Sequence, residues 1–265
     1  MSLKNKIVII KIGGNLVSND QALEVLAQDI ALIVAQGLFP VIIHGGGNEI
    51  SYELRKQSIK PVFHHGLRVT DEKTLRITEM VLSGLVNKRI VSQLNSHGIK
   101  SVGISGKDGS TLLAKNVGEE KGGVGLVGEI EKVDISLIKL FEQNNFIPVI
   151  SPISMDEKGR TLNVNADSAA EAITIALNPE YVYYLTEAGG VYDERQAIIP
   201  ELKLSALPKM IDSGTIAEGM IPKIKSVERI VRSGIKNIII CGCVNHELMD
   251  LISQRRGNIG TKILL

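Results

Sequence analysis

The chain has 265 residues, of which 44% are hydrophobic, enough to build one large α/β domain or two modest lobes with a full core. Its 30 basic and 29 acidic residues almost cancel and only 3% of residues are aromatic, which argues against nucleic-acid binding as the main function. A signal-peptide pattern and an apolar stretch of membrane-spanning length are both missing, so we expect a soluble, cytoplasmic protein.

The first predicted strand ends in a candidate phosphate site. Ile7 to Ile10 form a β-branched run, which is typical of a strand buried on both faces in a parallel sheet. Lys11 follows, and then Gly13 and Gly14. Glycines let backbone N–H groups approach an anion closely, and a lysine supplies a point charge. Taken alone, the pattern fits equally well a lysine at a sheet edge followed by glycines that only turn the chain.

The following segments repeat this strand–turn–helix order. A helix is predicted after three possible N-caps, Ser18, Asn19 and Asp20. A second buried strand begins at Pro40 and ends in the glycine turn 44–47, before another helix. Right-handed crossovers place the carboxyl ends of parallel strands together, so both glycine turns are expected on one edge of the sheet.

The rest of the chain continues as an α/β pattern. We expect a hairpin or extended segment over 62–70, a long helix capped by Asp71 with a kink near Gly84, and antiparallel hairpins over 112–134. Further strands are predicted at 101–105, 146–150, 181–185, 237–241 and 260–264, and further helices at 135–144, after Asp167, at 204–213, 218–233 and 247–253. The composition changes after Asn178, which predicts a seam between lobes 1–178 and 179–265 that share one sheet.

Polar and charged residues collect at predicted turns, helix entrances and first helical turns. They are Lys11, Gly14, Gly46, Gly47, Arg68, Asn163, Asp167 and Lys223. A parallel sheet would gather several of them at one edge. Two lysines, a carboxylate and glycine turns suit phosphoryl transfer, which depends on charge neutralisation and positioning. An arginine adds two-point capture of a carboxylate.

The order of motifs resembles the amino acid kinase family and, within it, the branch that phosphorylates N-acetyl-L-glutamate in arginine biosynthesis. The matching motifs are Ile10-Lys-Ile-Gly-Gly-Asn15, His44-Gly-Gly-Gly47, Gly66-Leu-Arg-Val-Thr70, Val86-Asn-Lys88, Ser105-Gly-Lys-Asp-Gly109, Asn163-Val-Asn-Ala-Asp167, Gly219-Met-Ile-Pro-Lys223 and Gly260-Thr261. Each motif alone is weak, but together they run in the family's order from residue 7 to the end of the chain.

The resemblance implies a three-layer αβα sandwich with a mainly parallel central sheet. Lobe 1–178 would bind the acceptor and form a dimer, and lobe 179–265 would bind ATP. The implied reaction is ATP-dependent phosphorylation of the γ-carboxylate of N-acetyl-L-glutamate, with Mg²⁺ carried on the nucleotide and no dedicated metal site. Lys11 and Lys223 would stabilise charge on the transferring phosphoryl group, and Asp167 would hold both lysines.

The resemblance also implies the binding residues. Gly46, Gly47, Arg68 and Asn163 would bind the acceptor. The nucleotide would be bound by Gly13, Gly14, Thr186, Glu187, Gly189, Gly190, Val191, Tyr192, Thr215, Ile216, Ala217 and Met220. Glu187 stands where the family usually has Asp, which keeps the charge but adds a methylene group.

Other interpretations of single residues stay open. Asp167 could serve only as a helix N-cap, Lys223 could be a solvated lysine, and Arg68 could pair with a surface carboxylate. His64 and His65 are neighbours on an extended segment and point to opposite faces, so we interpret them as surface residues rather than metal ligands.

Other functions also stay open. One is a related kinase acting on carrier-protein-linked 2-aminoadipate in lysine biosynthesis, and another is a non-catalytic ligand sensor with the same fold. A G-x-G-x-x-G match at 123–128 suggests a nicotinamide oxidoreductase, but an alternating strand pattern follows it, so we interpret it as part of a hairpin. We interpret Cys241 and Cys243 as small buried residues rather than a redox pair.

Regulation and assembly are predicted from features that the sequence lacks. The resemblance implies that arginine-inhibited members of the family are hexamers, joined through an extra N-terminal helix. In this sequence six residues precede the first strand, too few for such a helix. The stretch 255–260 also lacks the acidic, aromatic-containing segment of the inhibited forms. We therefore expect an arginine-insensitive homodimer, with the apolar face of the helix from Met80 to Leu94 as the contact and with Asn87 and Lys88 packing beside it.

Overall fold

Buried parallel strands form the centre of the molecule. The computed structural model describes residues 6–216, 220–243, 246–252 and 259–265. In these residues the strands are β1 (Ile7–Ile12), β2 (Phe39–His44), β3 (Phe63–His64), β4 (Leu67–Arg68), β5 (Ser101–Ser105), β6 (Leu112–Asn116), β7 (Val127–Val133), β8 (Ile147–Ser151), β9 (Ile153–Met155), β10 (Thr161–Val164), β11 (Tyr181–Leu185), β12 (Glu201–Lys203), β13 (Ile238–Cys241) and β14 (Thr261–Leu264). The α-helices are α1 (Asp20–Ala35), α2 (Gly47–Lys56), α3 (Glu72–Glu79), α4 (Asn87–Ser96), α5 (Ser136–Gln143), α6 (Ala166–Leu177), α7 (Leu207–Asp212), α8 (Ile221–Arg232) and α9 (Glu247–Ile252).

One large sheet organises the described residues. Its strand order is β12-β14-β13-β11-β1-β2-β8-β5. β1 pairs in parallel with both β2 and β11, and β14 runs antiparallel to β13. Every residue of β1 and β2 is buried, as the β-branched run predicts for a strand covered on both faces. Helices α1, α4 and α9 pack together, and so do α6 and α8, which completes the predicted αβα sandwich with its mainly parallel sheet.

A smaller β structure lies beside the main sheet. Strands β6, β7, β9 and β10 close on one another, and β6 and β7 form the predicted antiparallel pair. Gly128 lies in β7, where a side chain would meet Leu162 and Val164 at 3.0 Å. The glycine match at 123–128 therefore leads into a strand and not into a helix, which agrees with its interpretation as part of a hairpin.

The long helix that follows Asp71 contains a π-helical segment. The Asp71 side chain accepts a hydrogen bond from the Thr74 N–H at 2.7 Å and caps α3. Residues Met80–Val86 then form a π-helix that joins α3 to α4 and includes Gly84, near which the sequence predicted a kink. Such segments are frequent at functional sites, and here Leu82 lines the cleft described below.

The predicted dimer contact needs a correction. The side of the helix that carries Val81, Val86 and Ile90 is buried within the chain, which leaves Met80 and Leu85 as exposed apolar residues (53% and 45%). Asn87 is also fully buried, so it packs inside the subunit rather than at a contact between two copies.

Two further sequence predictions concern smaller features. Cys241 and Cys243 are buried free thiols, as we interpreted them. The helix predicted at 204–213 begins with a 3₁₀ turn at Leu204–Ala206, before α7. Across the described residues, no helix combines the length and the apolar character needed to cross a membrane.

The N-cap of α1 provides a test of the local structure. Of the three candidate residues, Asn19 caps the helix, because its side chain accepts a hydrogen bond from the Ala22 N–H at 3.0 Å. We expect Asn19→Ala to lower the free energy of unfolding by about 1 kcal/mol, and Asn19→Asp, which keeps an acceptor, to lower it far less. Urea denaturation measures both, with Ser18→Ala as the control. A larger loss in the control than in Asn19→Ala would place the cap at Ser18.

Candidate active site

A cleft of about 270 Å³ lies where the predicted site residues meet. Seven of the eight residues named from their positions in turns and helix entrances line it, namely Lys11, Gly14, Gly46, Gly47, Arg68, Asn163 and Asp167. The eighth, Lys223, contacts Asp167. Lys11 and Gly14 lie at the end of β1, and Gly46 and Gly47 follow β2, so the prediction that a parallel sheet gathers several of these residues at one edge is confirmed. Arg68 and Asn163 come instead from β4 and β10, which are outside that sheet.

Two buried lysines share one carboxylate in this cleft. Lys11 Nζ lies 2.5 Å from Asp167 Oδ1, and Lys223 Nζ lies 3.1 Å from the same oxygen. Both lysines are almost completely buried, with 4% and 7% of their surface exposed. A single carboxylate balances only one of the two positive charges, so the group carries a net charge of about +1 when all three are ionised. This surplus charge makes the cleft attractive to an anion.

The charges of this group are coupled. Burial alone would raise the pKa of Asp167, but the ammonium groups of Lys11 and Lys223 outweigh it and hold the pKa at about 2. Burial and the neighbouring Lys11 lower the pKa of Lys223 to about 8, against the opposing effect of Asp167. At neutral pH Asp167 is therefore ionised, and Lys223 is protonated but loses its charge more readily than an exposed lysine does.

Asp167 is not the N-cap of α6. Asn165 has the cap position, and its side chain accepts hydrogen bonds from the N–H groups of Asp167 and Ser168 at 2.8 and 3.2 Å. The alternative in which Asp167 only caps the helix is therefore wrong. Its carboxylate is instead free to bind the two lysines from the first turn of the helix.

Two residues that we did not predict support the lysines. The Tyr184 ring lies 5.9 Å from Lys11 Nζ and 5.4 Å from Lys223 Nζ, within the range of cation–π attraction. The Tyr184 hydroxyl is 3.0 Å from Ser226 Oγ, which donates to the Asp167 carbonyl at 2.9 Å. One signal was available, because Ser226 lies three residues after Lys223 and so shares its helix face.

The two glycine turns contact each other at the cleft. A Cβ on Gly14 would lie 3.0 Å from the Gly47 nitrogen and 3.4 Å from the Gly46 nitrogen. A side chain at position 14 would therefore fill the space in front of these N–H groups. Gly46 and Gly47 also begin α2, and a helix N-terminus favours bound anions.

Arg68 is buried at the end of β4 with unused hydrogen-bonding capacity. Its Nη2 donates to the Gly47 carbonyl and to Ser51 Oγ, both at 2.9 Å, and its guanidinium lies 4.6 Å from the Phe63 ring. Its Nη1 is buried, and among the residues that the structure describes it has no hydrogen-bond partner. Burial and the nearby Arg55 lower the pKa of Arg68 to about 10, so it remains charged at neutral pH. A surface ion pair does not fit this position, whereas a bound carboxylate does.

Asn163 is joined to the strand that carries Arg68. Its Nδ2 donates to Thr70 Oγ1 at 3.1 Å, and that hydroxyl donates to the Arg68 carbonyl at 2.7 Å. The amide of Asn163 and the guanidinium of Arg68 therefore have fixed positions on the wall of one cleft. This arrangement can hold a small molecule that carries both a carboxylate and a second polar group.

Gly13 and Gly14 follow β1, and the other predicted nucleotide residues follow β11 or precede α8. Among those that the structure describes, Gly14 alone lines the cleft. The Gly13 N–H donates to the Leu185 carbonyl at 3.1 Å, which joins the first glycine turn to the end of β11. Glu187 accepts a hydrogen bond from Asn15 Nδ2 at 2.7 Å, and Asn15 Oδ1 in turn accepts from Asn48 at 2.5 Å. The longer acidic side chain thus connects the segment after β11 to both glycine turns.

Two of the other predicted nucleotide residues form hydrogen bonds with residues that do not line the cleft. The Val191 N–H donates to Thr261 Oγ1 at 2.8 Å, and the Tyr192 hydroxyl donates to the Ala188 carbonyl at 2.7 Å. Thr186, Gly189 and Gly190 lie in the same segment, while Thr215, Ile216 and Met220 lie before α8. Ala217 is outside the described residues.

His64 and His65 are exposed, as predicted. They line a neighbouring cavity of about 590 Å³ between the β3–β4 hairpin and α8. The structure therefore supports their interpretation as surface residues.

The chain is similar to known kinases over nearly its whole length. The model of the amino acid kinase family matches residues 6–242. The acetylglutamate kinase of Kosmotoga olearia is 43% identical over 260 residues, which cover 97% of this chain and 91% of that protein. The acetylglutamate kinase of Caldanaerobacter subterraneus subsp. tengcongensis is 44% identical over 262 residues, which cover 97% and 87%.

A solved structure supports the same fold. The N-acetylglutamate synthase of Neisseria gonorrhoeae superimposes with a TM-score of 0.86 at 23% identity, over 99% of this chain and 60% of that chain. At this identity the similarity concerns the fold alone. Because the family match extends from residue 6 to residue 242 and two kinases share 43% and 44% of its residues, the chain belongs to the amino acid kinase family.

Proposed function

We infer that this enzyme transfers the γ-phosphoryl group of ATP to the γ-carboxylate of N-acetyl-L-glutamate, which is the second step of arginine biosynthesis. The observation that carries this conclusion is the buried pair Lys11 and Lys223 on the single carboxylate of Asp167. Its surplus positive charge lies in one cleft with two glycine turns and Arg68. The identity of the acceptor comes from the relatives named acetylglutamate kinase.

The acceptor itself explains why the cleft needs no general base. A carboxylate is already ionised at neutral pH, so no proton has to be removed before it attacks. One of its oxygens forms a bond to the γ-phosphorus while the bond to the β–γ bridging oxygen breaks, giving ADP and N-acetyl-L-glutamyl 5-phosphate. Lys11 and Lys223 stabilise negative charge on the transferring group, and Asp167 positions them. With its pKa held at about 2, Asp167 would be a poor base, which agrees with a positioning role.

We propose that lobe 1–178 binds the acceptor. Arg68 has a buried Nη1 without a partner, which suits one carboxylate of the acceptor. The Asn163 amide would hold the acetamido end, and the N–H groups of Gly46 and Gly47 would bind oxygens of the acceptor or the phosphoryl group. The presence of all four residues in the wall of the cleft supports these roles.

We propose that lobe 179–265 binds ATP through the segment after β11 and the segment before α8. Of the charged side chains that line the cleft, Lys11 and Arg68 are cations, and the carboxylate of Asp167 is already paired with two lysines. This set fits phosphate oxygens better than a metal ion held by protein ligands alone. Mg²⁺ would therefore arrive on the nucleotide, where it neutralises phosphate charge. The supply of ATP also makes the cytoplasm the expected location.

One assay tests the proposed function directly. Hydroxylamine traps acyl phosphates, so the enzyme is incubated with ATP and a panel of acidic acceptors. We expect a hydroxamate with N-acetyl-L-glutamate, and little or none with free glutamate or a carrier-linked 2-aminoadipate. Preference for the carrier-linked acceptor would support the lysine-biosynthesis alternative, and no product with any acceptor would support a ligand sensor.

Removing either lysine should slow the chemical step. We expect Lys11→Ala and Lys223→Ala each to lower kcat by about 10²–10³-fold, with a smaller change in KM, because the charge that they stabilise grows in the transition state. Arg232→Ala is the matched control, since this exposed cation lies on the same helix as Lys223 and pairs with Glu228. Turnover at the level of the unmodified enzyme in either lysine variant would contradict the assigned roles.

The lowered pKa of Lys223 predicts an alkaline limit to activity. Lys223 is protonated below its pKa of about 8 and loses its positive charge above it, so kcat/KM should fall as the pH rises past about 8. Arginine keeps its charge throughout this range, so Lys223→Arg should move the fall to higher pH even if its kcat is lower. Steady-state rates from pH 6 to pH 10 measure both. If kcat/KM of Lys223→Arg falls at the same pH as that of the unmodified enzyme, the fall is caused by another group.

Arg68→Lys should weaken acceptor binding selectively. A lysine cannot reproduce the planar fork that holds a carboxylate, and losing one charged hydrogen bond costs about 1.5–3 kcal/mol, or about 10–150-fold in affinity. Calorimetric titrations with N-acetyl-L-glutamate and with a non-hydrolysable ATP analogue measure both affinities. An equal loss for the two ligands would show that Arg68 holds the lobes together instead.

We also propose that the enzyme is a homodimer. The exposed Met80 and Leu85 lie on the π-helical segment and offer apolar surface to a second copy. Light scattering should give the mass of two chains, and Leu85→Glu should shift it towards one chain. A monomeric mass for the unmodified protein would contradict this assembly.

A further inference from the structure

A buried histidine lies directly behind the second glycine turn. His44 is the last residue of β2 and has no exposed surface. Its Nδ1 is 2.9 Å from the Gly45 carbonyl oxygen, and its Nε2 is 3.1 Å from Asn87 Nδ2. The imidazole therefore joins the glycine turn to the first residue of α4.

These two contacts define where the proton lies on the ring. A carbonyl oxygen only accepts, so Nδ1 must carry the proton and donate to Gly45. In a neutral imidazole Nε2 is then the acceptor, which matches the amide N–H of Asn87. The orientation of that amide is fixed as well, because its Nδ2 donates to the Val149 carbonyl at 2.9 Å and its Oδ1 accepts from Lys88 Nζ at 3.0 Å.

The surroundings also keep the ring uncharged. Burial lowers the pKa of His44 to about 4, the hydrogen bond to Gly45 opposes this, and the positive charge of Lys88 adds to it. Near neutral pH the ring is therefore neutral, with one tautomer selected by its partners.

The peptide group between Gly45 and Gly46 carries this constraint to the cleft. The carbonyl of Gly45 and the N–H of Gly46 belong to one planar trans unit and point in opposite directions. A carbonyl held towards the buried ring therefore directs the N–H of Gly46 away from it. The Gly46 nitrogen lies near Gly14, where a Cβ would be 3.4 Å away, and both glycines line the cleft.

We propose that His44 is a positioning residue that locks the Gly45–Gly46 peptide, so that the Gly46 N–H points at an oxygen of the bound phosphoryl group or acceptor. This inference rests on the proposed kinase activity and adds a residue that does not line the cleft. The neutral Nδ1–H tautomer supplies the donor, and Asn87 selects that tautomer.

Two substitutions separate the two contacts of the ring. In His44→Asn, the side-chain amide can still donate to the Gly45 carbonyl, but the shorter side chain leaves a cavity beside Asn87. In His44→Gln, the longer side chain can still accept from Asn87, but it has no donor near Gly45. We expect His44→Asn to have the larger fall in melting temperature yet to keep kcat within about tenfold. We expect His44→Gln to be the more stable variant and to lose about 10²-fold in kcat, because the N–H is misplaced.

The opposite order would overturn the proposal. A residue that only supports the fold would make activity follow stability, so a His44→Gln enzyme more active than His44→Asn counts against a positioning role. The KM for ATP should change far less than kcat in His44→Gln, and a loss confined to KM would likewise overturn it.

A measurement independent of activity tests the tautomer. In the protein labelled with ¹⁵N-histidine, long-range ¹H–¹⁵N spectra should show an Nδ1–H ring that does not titrate between about pH 5.5 and about pH 9, and this signal should be missing in His44→Gln. An Nε2–H ring or a titration in that range would overturn the proposal. An unmodified enzyme that forms no acyl phosphate would overturn the proposed function and the catalytic part of this inference, while the spectra would still report the tautomer.

Discussion

The cleft that we propose as the active site depends on one constraint, the burial of two ammonium groups against a single carboxylate. Removing a charge from water costs several kcal/mol unless it is paired, and Asp167 can balance only one of the two lysines. The Tyr184 ring lowers this cost without adding negative charge, because its face attracts both cations. Apolar residues in these positions would be easier to bury, but they would not attract phosphate. The surplus charge is thus a cost to the folded protein that a bound anion offsets.

The same group joins distant parts of the chain. Lys11 comes from β1, Asp167 from α6 and Lys223 from α8, so the three charges connect the first strand to elements on both sides of residue 178. Glu187 adds a second connection through Asn15. Glu187 is one methylene longer than the Asp that is usual in the family, so its carboxylate extends further towards Asn15. The ion pairs of Asp167 and the hydrogen bond of Glu187 therefore hold together the same segments that form the cleft.

The periodicity of apolar residues predicted most of the strands and helices, but it predicted few of the side chains that contact the site residues. The β-branched runs of β1 and β2 predicted buried parallel strands, and their carboxyl ends predicted where the site residues meet. A buried pattern does not say what covers it, however, and most of the apolar face assigned to a dimer contact packs inside the chain. The cap of α6 depends on backbone geometry, since Asn165 and Asp167 both suit a helix start. Tyr184 and Ser226 become partners of the lysines only through tertiary packing.

The polar groups at and behind the cleft differ in whether their hydrogen bonds are satisfied within the chain. Around His44, the polar atoms of the buried ring and of the Asn87 amide have complementary hydrogen-bond partners within the chain. In Arg68, by contrast, Nη2 is satisfied and Nη1 is buried without a partner. A buried unsatisfied donor costs about 1–3 kcal/mol, and a bound carboxylate would remove that cost. In the proposed enzyme, the network behind the cleft would fix the glycine turn and the Nη1 of Arg68 would bind the acceptor, so geometry and affinity would come from different residues.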